Sequence, residues 1–130
     1  MRAIAIIIAI LGLAVFVFGI LFVAQAGSAE KEIATEIQPV TIAEVNAKYD
    51  AVKAKQLALA ATEEPLIQTG KAAPSAIYVY LSGQRTSLAL AKSNIGVAKF
   101  VRTSGTVNIL LGLGVFLAGV WLLRKSQSAA

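Results

Sequence analysis

The chain has 130 residues, of which 57% are hydrophobic, and its mean hydropathy is +0.73. Soluble domains average about 45–50% apolar residues, so the composition argues against an ordinary soluble domain, and the length favours a single domain. The net charge of +5 does not indicate nucleic-acid binding, because nine of the twelve basic residues are mixed with all seven acidic residues between two apolar blocks.

The first apolar block, Ala3 to Ala24, contains no polar residue. A bilayer core needs about 20 apolar residues at a rise of about 1.5 Å each, so residues 1–26 are predicted to form a transmembrane helix. The alternative is a cleaved signal peptide, with Arg2 as its short basic region and Ala24-Gln25-Ala26 as its cleavage site. The block is longer than the usual apolar region of about 7–15 residues, which favours a retained anchor.

Residues 27–104 are predicted to form a helical region outside the membrane. Ile33 and Ile37 extend the first helix over about 28–38, with Gly27 as a possible break and Pro39 as its stop. Thr41 and Glu44 match a capping box, and a second helix is predicted over about 41–62, before Glu63-Glu64-Pro65. Gln56 interrupts the apolar stripe of this helix, which contains Ile42, Val45, Tyr49, Val52 and Leu59.

A third helix is predicted over about 76–104, after a loop that contains Gly70 and Pro74. The residue types in Ala76-Ile-Tyr-Val-Tyr-Leu81 also permit a short strand at 76–82, which stays open as an alternative. The helix is favoured by one apolar stripe, formed by Ile77, Leu81, Leu88, Ala91, Ile95 and Ala98.

The third helix is predicted to continue into a second transmembrane helix over 105–124. No breaker follows Lys99, and residues 109–123 are entirely apolar. The external part of this helix would be about 43 Å long at about 1.5 Å per residue. The expected fold class is therefore all-α, with a hairpin of two transmembrane helices that continue into a small external helical hairpin.

Basic residues at both ends of the chain predict its orientation. Arg2 precedes the first span, and Arg124 and Lys125 follow the second directly after Trp121, a residue type typical of membrane interfaces. These residues favour both termini in the cytoplasm, including the polar tail 125–130, and residues 27–104 outside a prokaryotic plasma membrane. Lys92, Lys99 and Arg102 argue the other way, but loops of this length translocate largely regardless of charge.

Small residues recur every seven positions in both apolar helices, and we call these two rows the glycine seams. The sequences "GLAVFVFG" and "GLGVFLAG" carry them, with Phe16 and Phe116 at equivalent positions where they would cover the edges. Small residues let helices approach closely in lipid, and a seven-residue repeat implies a left-handed supercoil. The pattern predicts antiparallel packing, against each other or against a partner chain, along Ala5, Gly12, Gly19 and Ala26 and along Ala91, Ala98, Gly105, Gly112 and Gly119.

Two alternatives to packing remain for the glycine seams. Glycine is common in membrane helices, so similar apolar spans also arise from composition alone. An inverted internal duplication would also repeat the motif, although the similarity covers only a short stretch and the connecting segment contains no second copy.

A few polar residues are candidates for specific contacts. Asn108 is the only amide within the apolar block Ala3 to Ala24 and the span 105–124, and we interpret it as an interhelical hydrogen-bonding residue rather than a pore or ligand contact. Trp121, Arg124 and Lys125 are predicted interface anchors. A basic stripe that faces lipid phosphates, an acidic partner or simply solvent comprises Arg85, Lys92, Lys99 and Arg102.

The sequence contains no pattern that indicates catalysis or cofactor binding. It has no cysteine or histidine, its acidic residues are dispersed, and serine and threonine lack a base to activate them. We therefore expect no enzymatic activity, metal, cofactor, nucleic acid or small-molecule substrate. The expected role is a structural or accessory subunit of a membrane complex. A homo-oligomeric scaffold or pore is the alternative, followed by a membrane sensor, for which the short tail leaves no output domain.

Overall fold

The computed structural model describes residues 2–38 and 40–128. This part of the chain contains three helices and no strand: α1, Arg2–Glu36; α2, Val45–Gln68; and α3, Ala76–Ser128. The all-helical prediction is confirmed, and residues 76–82 are helical, so the strand alternative is wrong. The helices form two compact units, one of residues 2–30 with 97–128, the apolar unit, and the other of Lys31–Gly96, the polar unit.

The first helix continues past the apolar block without a break. Gly27 lies inside α1, so this helix continues through the extension expected over about 28–38, and it ends at Glu36. Glycine lowers the stability of a helix without preventing it, so neighbouring turns carry the helix through Gly27. The predicted stop at Pro39 lies outside the described residues.

The second helix begins and ends later than the sequence pattern predicts. Thr41 donates its amide hydrogen and its hydroxyl hydrogen to the Glu44 carboxylate at 3.1 and 2.6 Å, which closes a turn before α2 begins at Val45. These bonds hold the pKa of Glu44 below its ordinary value. Only the glutamate half of the capping box is therefore formed, because the threonine hydroxyl donates to Glu44 instead of accepting from the helix backbone.

Pro65 lies inside α2, three residues before the helix ends at Gln68, instead of terminating it. A proline lacks the backbone donor that would bond to the carbonyl four residues earlier, and the last turn of a helix separately leaves carbonyl groups that need partners beyond it. Here the Pro65 carbonyl accepts hydrogen bonds from the Thr69 amide at 3.3 Å and the Thr69 hydroxyl at 2.8 Å. Gly70, at a φ of 69°, then reverses the chain, as glycine commonly does after a helix.

The polar unit has a small apolar core made by all three helices. Ile33, Val45, Ala91 and Ile95 are buried together, and Ile37, Val40 and Ile42 pack against them. Along α2 the buried residues are Val45, Val52, Gln56 and Ala60, so Gln56 belongs to the stripe that it was predicted to interrupt. On α3 the predicted stripe begins later than expected, because Ile77 is 59% exposed whereas Leu88, Ala91 and Ile95 are buried.

The apolar unit buries almost nothing except small residues. Ala5, Gly12, Gly19 and Ala26 are buried on α1, and Ala98, Gly105, Gly112 and Gly119 are buried on α3. Both helices are long and apolar enough to cross a membrane, yet only 17% and 11% of their most apolar windows are buried. Large side chains such as Ile4, Ile10 and Leu110 are 59–66% exposed.

Candidate functional site

The two glycine seams face each other within one chain. A Cβ atom added to Gly12 would overlap the backbone nitrogen of Phe116, and a Cβ added to Gly112 would overlap the backbone nitrogen of Phe16. The Cβ at Gly112 would also lie 2.7 Å from the Gly12 carbonyl oxygen. The backbones therefore touch where the repeated motif places glycine. Phe16 and Phe116 are half-buried beside these contacts.

The same close approach recurs at the other glycines of the seams. A Cβ at Gly19 would lie 2.6 Å from the Ile109 nitrogen, and a Cβ at Gly105 would lie 2.8 Å from the Gly19 carbonyl oxygen. A Cβ at Gly119 would lie 2.5 Å from the Ala9 nitrogen. Real Cβ atoms essentially never come this near backbone atoms, so any larger residue would force the helices apart.

The contacts run in an antiparallel register. Moving seven residues along α1, from Gly12 to Gly19, moves the contact seven residues back along α3, from Phe116 to Ile109. Seven residues make almost two helical turns, so the same faces meet again at each step. Ala5 and Ala98 are 1% and 3% exposed. Ala91 belongs instead to the core of the polar unit.

Gly114 shows that glycine alone does not mark the contact. It lies between two seam glycines on α3, but it is exposed, and an added Cβ would meet no atom within 4 Å. Gly96 is equally open. The contact follows the seven-residue register rather than the glycine content of the helix.

The structure divides the four predicted basic residues into two groups. In the apolar unit, Arg102 forms an ion pair with Glu30 at 2.7 Å, linking α3 to α1, while Lys99 is exposed. In the polar unit, Arg85 donates a hydrogen bond to the Gln56 side-chain oxygen at 2.7 Å. Lys92 lies over the Tyr49 ring, 5.1 Å from its centroid.

The predicted polar contact of Asn108 is not found among the described residues. Its side chain is half-buried and takes part in none of the side-chain hydrogen bonds found in residues 2–38 and 40–128. Trp121 is 61% exposed, with the Lys125 ammonium 5.2 Å from its ring centroid, and Arg124 is exposed. The three predicted interface anchors therefore occupy one end of the apolar unit.

A polar clamp, made of Glu63, Glu64, Ser75 and Tyr78, joins the end of α2 to the start of α3. The Ser75 amide and hydroxyl donate to Glu63 at 3.0 and 2.7 Å, and the Ser75 hydroxyl accepts from the Tyr78 amide at 3.1 Å. The Tyr78 hydroxyl donates to Glu64 at 3.0 Å. That hydrogen bond is the main reason that the pKa of Tyr78 lies above its ordinary value.

Sequence reasoning missed the Gln56–Arg85 pair, the clamp and the Glu30–Arg102 ion pair. Gln56 and Arg85 are each a polar residue within an otherwise apolar stripe, and this pattern could have indicated that they bond to each other between the helices. The Glu30–Arg102 ion pair could be inferred from the register of the glycine seams, but only once the two seams are known to pack against each other. The clamp depends on the loop after α2, whose path has no periodic signal.

The polar unit also contains an open groove between α2 and α3, which we call the basic groove. It has a volume of about 440 Å³ and is lined by Tyr49, Gln56, Ser82, Arg85, Thr86, Ala89 and Leu90. Comparison with known proteins found no matching family model, no matching curated protein and no matching solved structure.

Proposed function

We propose that the chain is a two-span integral membrane protein without catalytic activity that serves as a structural or accessory subunit of a larger membrane complex. In this proposal α1 and α3 cross a prokaryotic plasma membrane as a hairpin. Residues 27–104 lie outside and both termini lie in the cytoplasm. Its partners are membrane lipids and other membrane protein subunits.

The observation that carries the membrane proposal is the combination of high hydropathy and low burial. A core helix of a soluble protein is apolar because it is buried, whereas 17% and 11% of the two apolar windows are buried here. A protein that exposes large apolar surfaces to water tends to associate through them, whereas lipid solvates such surfaces favourably. The glycine contacts fit the same setting, since helices in lipid associate through close packing of small residues.

The contacts also argue against a cleaved signal peptide. Gly105, Gly112 and Gly119 of α3 pack against backbone atoms of residues 9–19 of α1. Removal of the first 26 residues would leave the whole α3 seam without its partner. These three glycines of α3 therefore have a packing partner within the chain only if α1 is retained.

Charge at the two ends of the apolar unit supports the orientation. Arg2, Arg124 and Lys125 flank one end of the two apolar blocks, without an acidic residue among them. Near the other end, Arg102 is neutralised by Glu30. The unbalanced positive end is the one expected in the cytoplasm.

The occupied seams favour an accessory subunit over a homo-oligomer built around α3. A pore with the α3 seam on its symmetry axis needs Gly105, Gly112 and Gly119 to be free, but they contact α1 of the same chain. Contacts with other subunits are then expected through the remaining faces of the spans and through the polar unit. A homo-oligomer through one of these other faces is the second candidate.

Gentle affinity purification followed by native mass spectrometry tests this proposal. An accessory subunit will appear in fixed stoichiometry with larger membrane proteins. A defined multimer of the chain alone supports the second candidate, and a monomer without partners contradicts both.

Cysteine labelling tests the orientation, because the natural chain contains no cysteine. Ser93→Cys and Ser128→Cys both introduce cysteine at exposed positions. In intact cells a membrane-impermeant thiol reagent is expected to label Ser93→Cys alone. Labelling of Ser128→Cys alone would reverse the orientation, and labelling of both would contradict a two-span topology.

A further inference from the structure

The Arg85 guanidinium has binding capacity that the described residues do not use. It carries five N–H donors in a planar fork, and among these residues one side-chain hydrogen bond, to Gln56, is found. The one ion pair within the described residues joins Arg102 to Glu30, so no described carboxylate lies within 4.0 Å of Arg85. Arg85 is half-buried, which limits the hydration that would otherwise satisfy this charge.

A second cation lies beside the same groove. Lys92 contacts the ring of Tyr49, which lines the groove, and this aromatic contact leaves the ammonium N–H donors available. No hydrogen bond from the Ser82 hydroxyl to another described residue is found, and Ser82 also lines the groove. The groove is therefore lined by one cation, Arg85, and a free hydroxyl, with no carboxylate among its lining residues, and the Lys92 ammonium lies beside its Tyr49 wall.

The walls of the groove are partly apolar. Ala89 and Leu90 line it, and Leu90 is 61% exposed although it lies outside the apolar spans. An exposed leucine next to an arginine favours a ligand that has both an apolar stem and an anionic head. A glutamate side chain has this composition, and its planar carboxylate matches the guanidinium fork.

We infer that the basic groove binds the carboxylate of a glutamate side chain from a partner protein, with Arg85 and Lys92 contacting the carboxylate and Leu90 contacting its stem. This inference rests on the proposed accessory function and identifies the part of the chain that the partner contacts. It also divides the predicted basic stripe, because Arg102 is paired within the chain and Arg85 is available.

Nuclear magnetic resonance titration of the isotope-labelled full chain in zwitterionic micelles at low salt tests the inference. The probe is N-acetylglutamate N-methylamide, and its neutral glutamine counterpart is the matched control. We expect the glutamate probe to shift the Arg85 side-chain N–H, Gln56 side-chain amide and Leu90 methyl signals saturably. The glutamine probe is expected to leave them in place.

Three variants locate the site. Lys92→Gln is expected to weaken binding about two- to fivefold, the range for an exposed ion pair. Arg85→Lys retains a donor for Gln56 but loses the planar fork, so binding followed at Gln56 is expected to weaken more than in Lys92→Gln. Lys55→Gln removes an exposed cation that neither lines the groove nor makes a cation–π contact with a lining residue, and it is expected to leave binding unchanged.

Several outcomes would overturn the inference. These are shifts that do not saturate, equal shifts from both probes, or equal weakening by Lys55→Gln and Lys92→Gln. Saturable binding of inorganic phosphate without binding of the glutamate probe would assign the groove to a phosphate instead. The proposed accessory function fails separately, through the absence of larger partners in the native mass spectrum.

Discussion

At the scale of single residues, the same amino acid has opposite roles two positions apart. Gly112 lies where two helix backbones touch, whereas Gly114 faces open space on the same helix. Sequence periodicity distinguishes them, because Gly112 belongs to the seven-residue row and Gly114 does not. The close contact of the helices therefore requires a residue without a side chain at Gly112, whereas the space around Gly114 would accept a side chain.

Alanine substitution at these two glycines is expected to have opposite effects on stability. Gly112→Ala would push a Cβ into the Phe16 backbone, and overpacking of this kind costs about 1–3 kcal/mol. Gly114→Ala meets no atom and is expected to leave stability unchanged or raise it, since alanine is the better helix former. Unfolding in mixed micelles monitored by circular dichroism measures both. Equal stability of the two variants would contradict the intrachain contact.

Thr41 and Glu44 make a second residue-scale prediction, which concerns pH. Two hydrogen bonds from Thr41 lower the pKa of Glu44 in the folded chain below its unfolded value. The stabilisation is therefore present above the unfolded pKa, whose ordinary value is 4.5, and is lost as the pH falls through the folded pKa.

Thr41→Val is expected to raise the pKa of Glu44, measured by carboxyl-carbon nuclear magnetic resonance. Thr62→Val, which removes a threonine hydroxyl bonded to the Leu59 carbonyl, is the control and should not alter it. An unchanged Glu44 titration in Thr41→Val would show that the threonine hydroxyl is not the cause of the shift.

At the scale of helices, the residues at which α2 ends and α3 begins depend on capping side chains, which the apolar periodicity of the sequence does not predict. The apolar pattern predicted three helices, but it placed the end of α2 before Pro65, while hydrogen bonds from Thr69 carry the helix to Gln68. The start of α3 similarly depends on Ser75, whose hydroxyl both caps the helix and reaches Glu63 on α2. Local capping therefore also sets how α2 and α3 are joined.

Loss of the Ser75 hydroxyl is expected to weaken the start of α3. Ser75→Ala removes the cap to the Tyr78 amide and the bond to Glu63, and loss of a helix cap costs about 0.5–2 kcal/mol. Ser93→Ala, at an exposed position within α3, is the matched control and should be neutral or slightly stabilising. Amide hydrogen exchange over residues 76–82 measures the effect. Equal protection in both variants would show that the clamp does not hold this end.

At the scale of the whole molecule, the sequence predicted the helical class, both apolar helices and the phase of the glycine seams. It left open whether the seams meet within one chain, because a partner helix with the same spacing satisfies the same pattern. It also missed the Gln56–Arg85 pair, since hydropathy treats a polar residue in an apolar stripe as an interruption. Such a pair becomes visible only when the register of two helices is known.

The single tryptophan provides a test of how the whole molecule lies in a bilayer. Trp121 is 61% exposed and lies one turn before Arg124, so in the proposed topology its ring contacts lipid near the cytoplasmic interface. Its fluorescence is expected to be quenched most by lipids brominated near the headgroup end of their acyl chains. Leu113→Trp combined with Trp121→Phe places the reporter near the middle of span 105–124, where bromines deep in the bilayer should quench best. If neither reporter is quenched by lipid and both are quenched by iodide in the water, α3 does not cross the membrane.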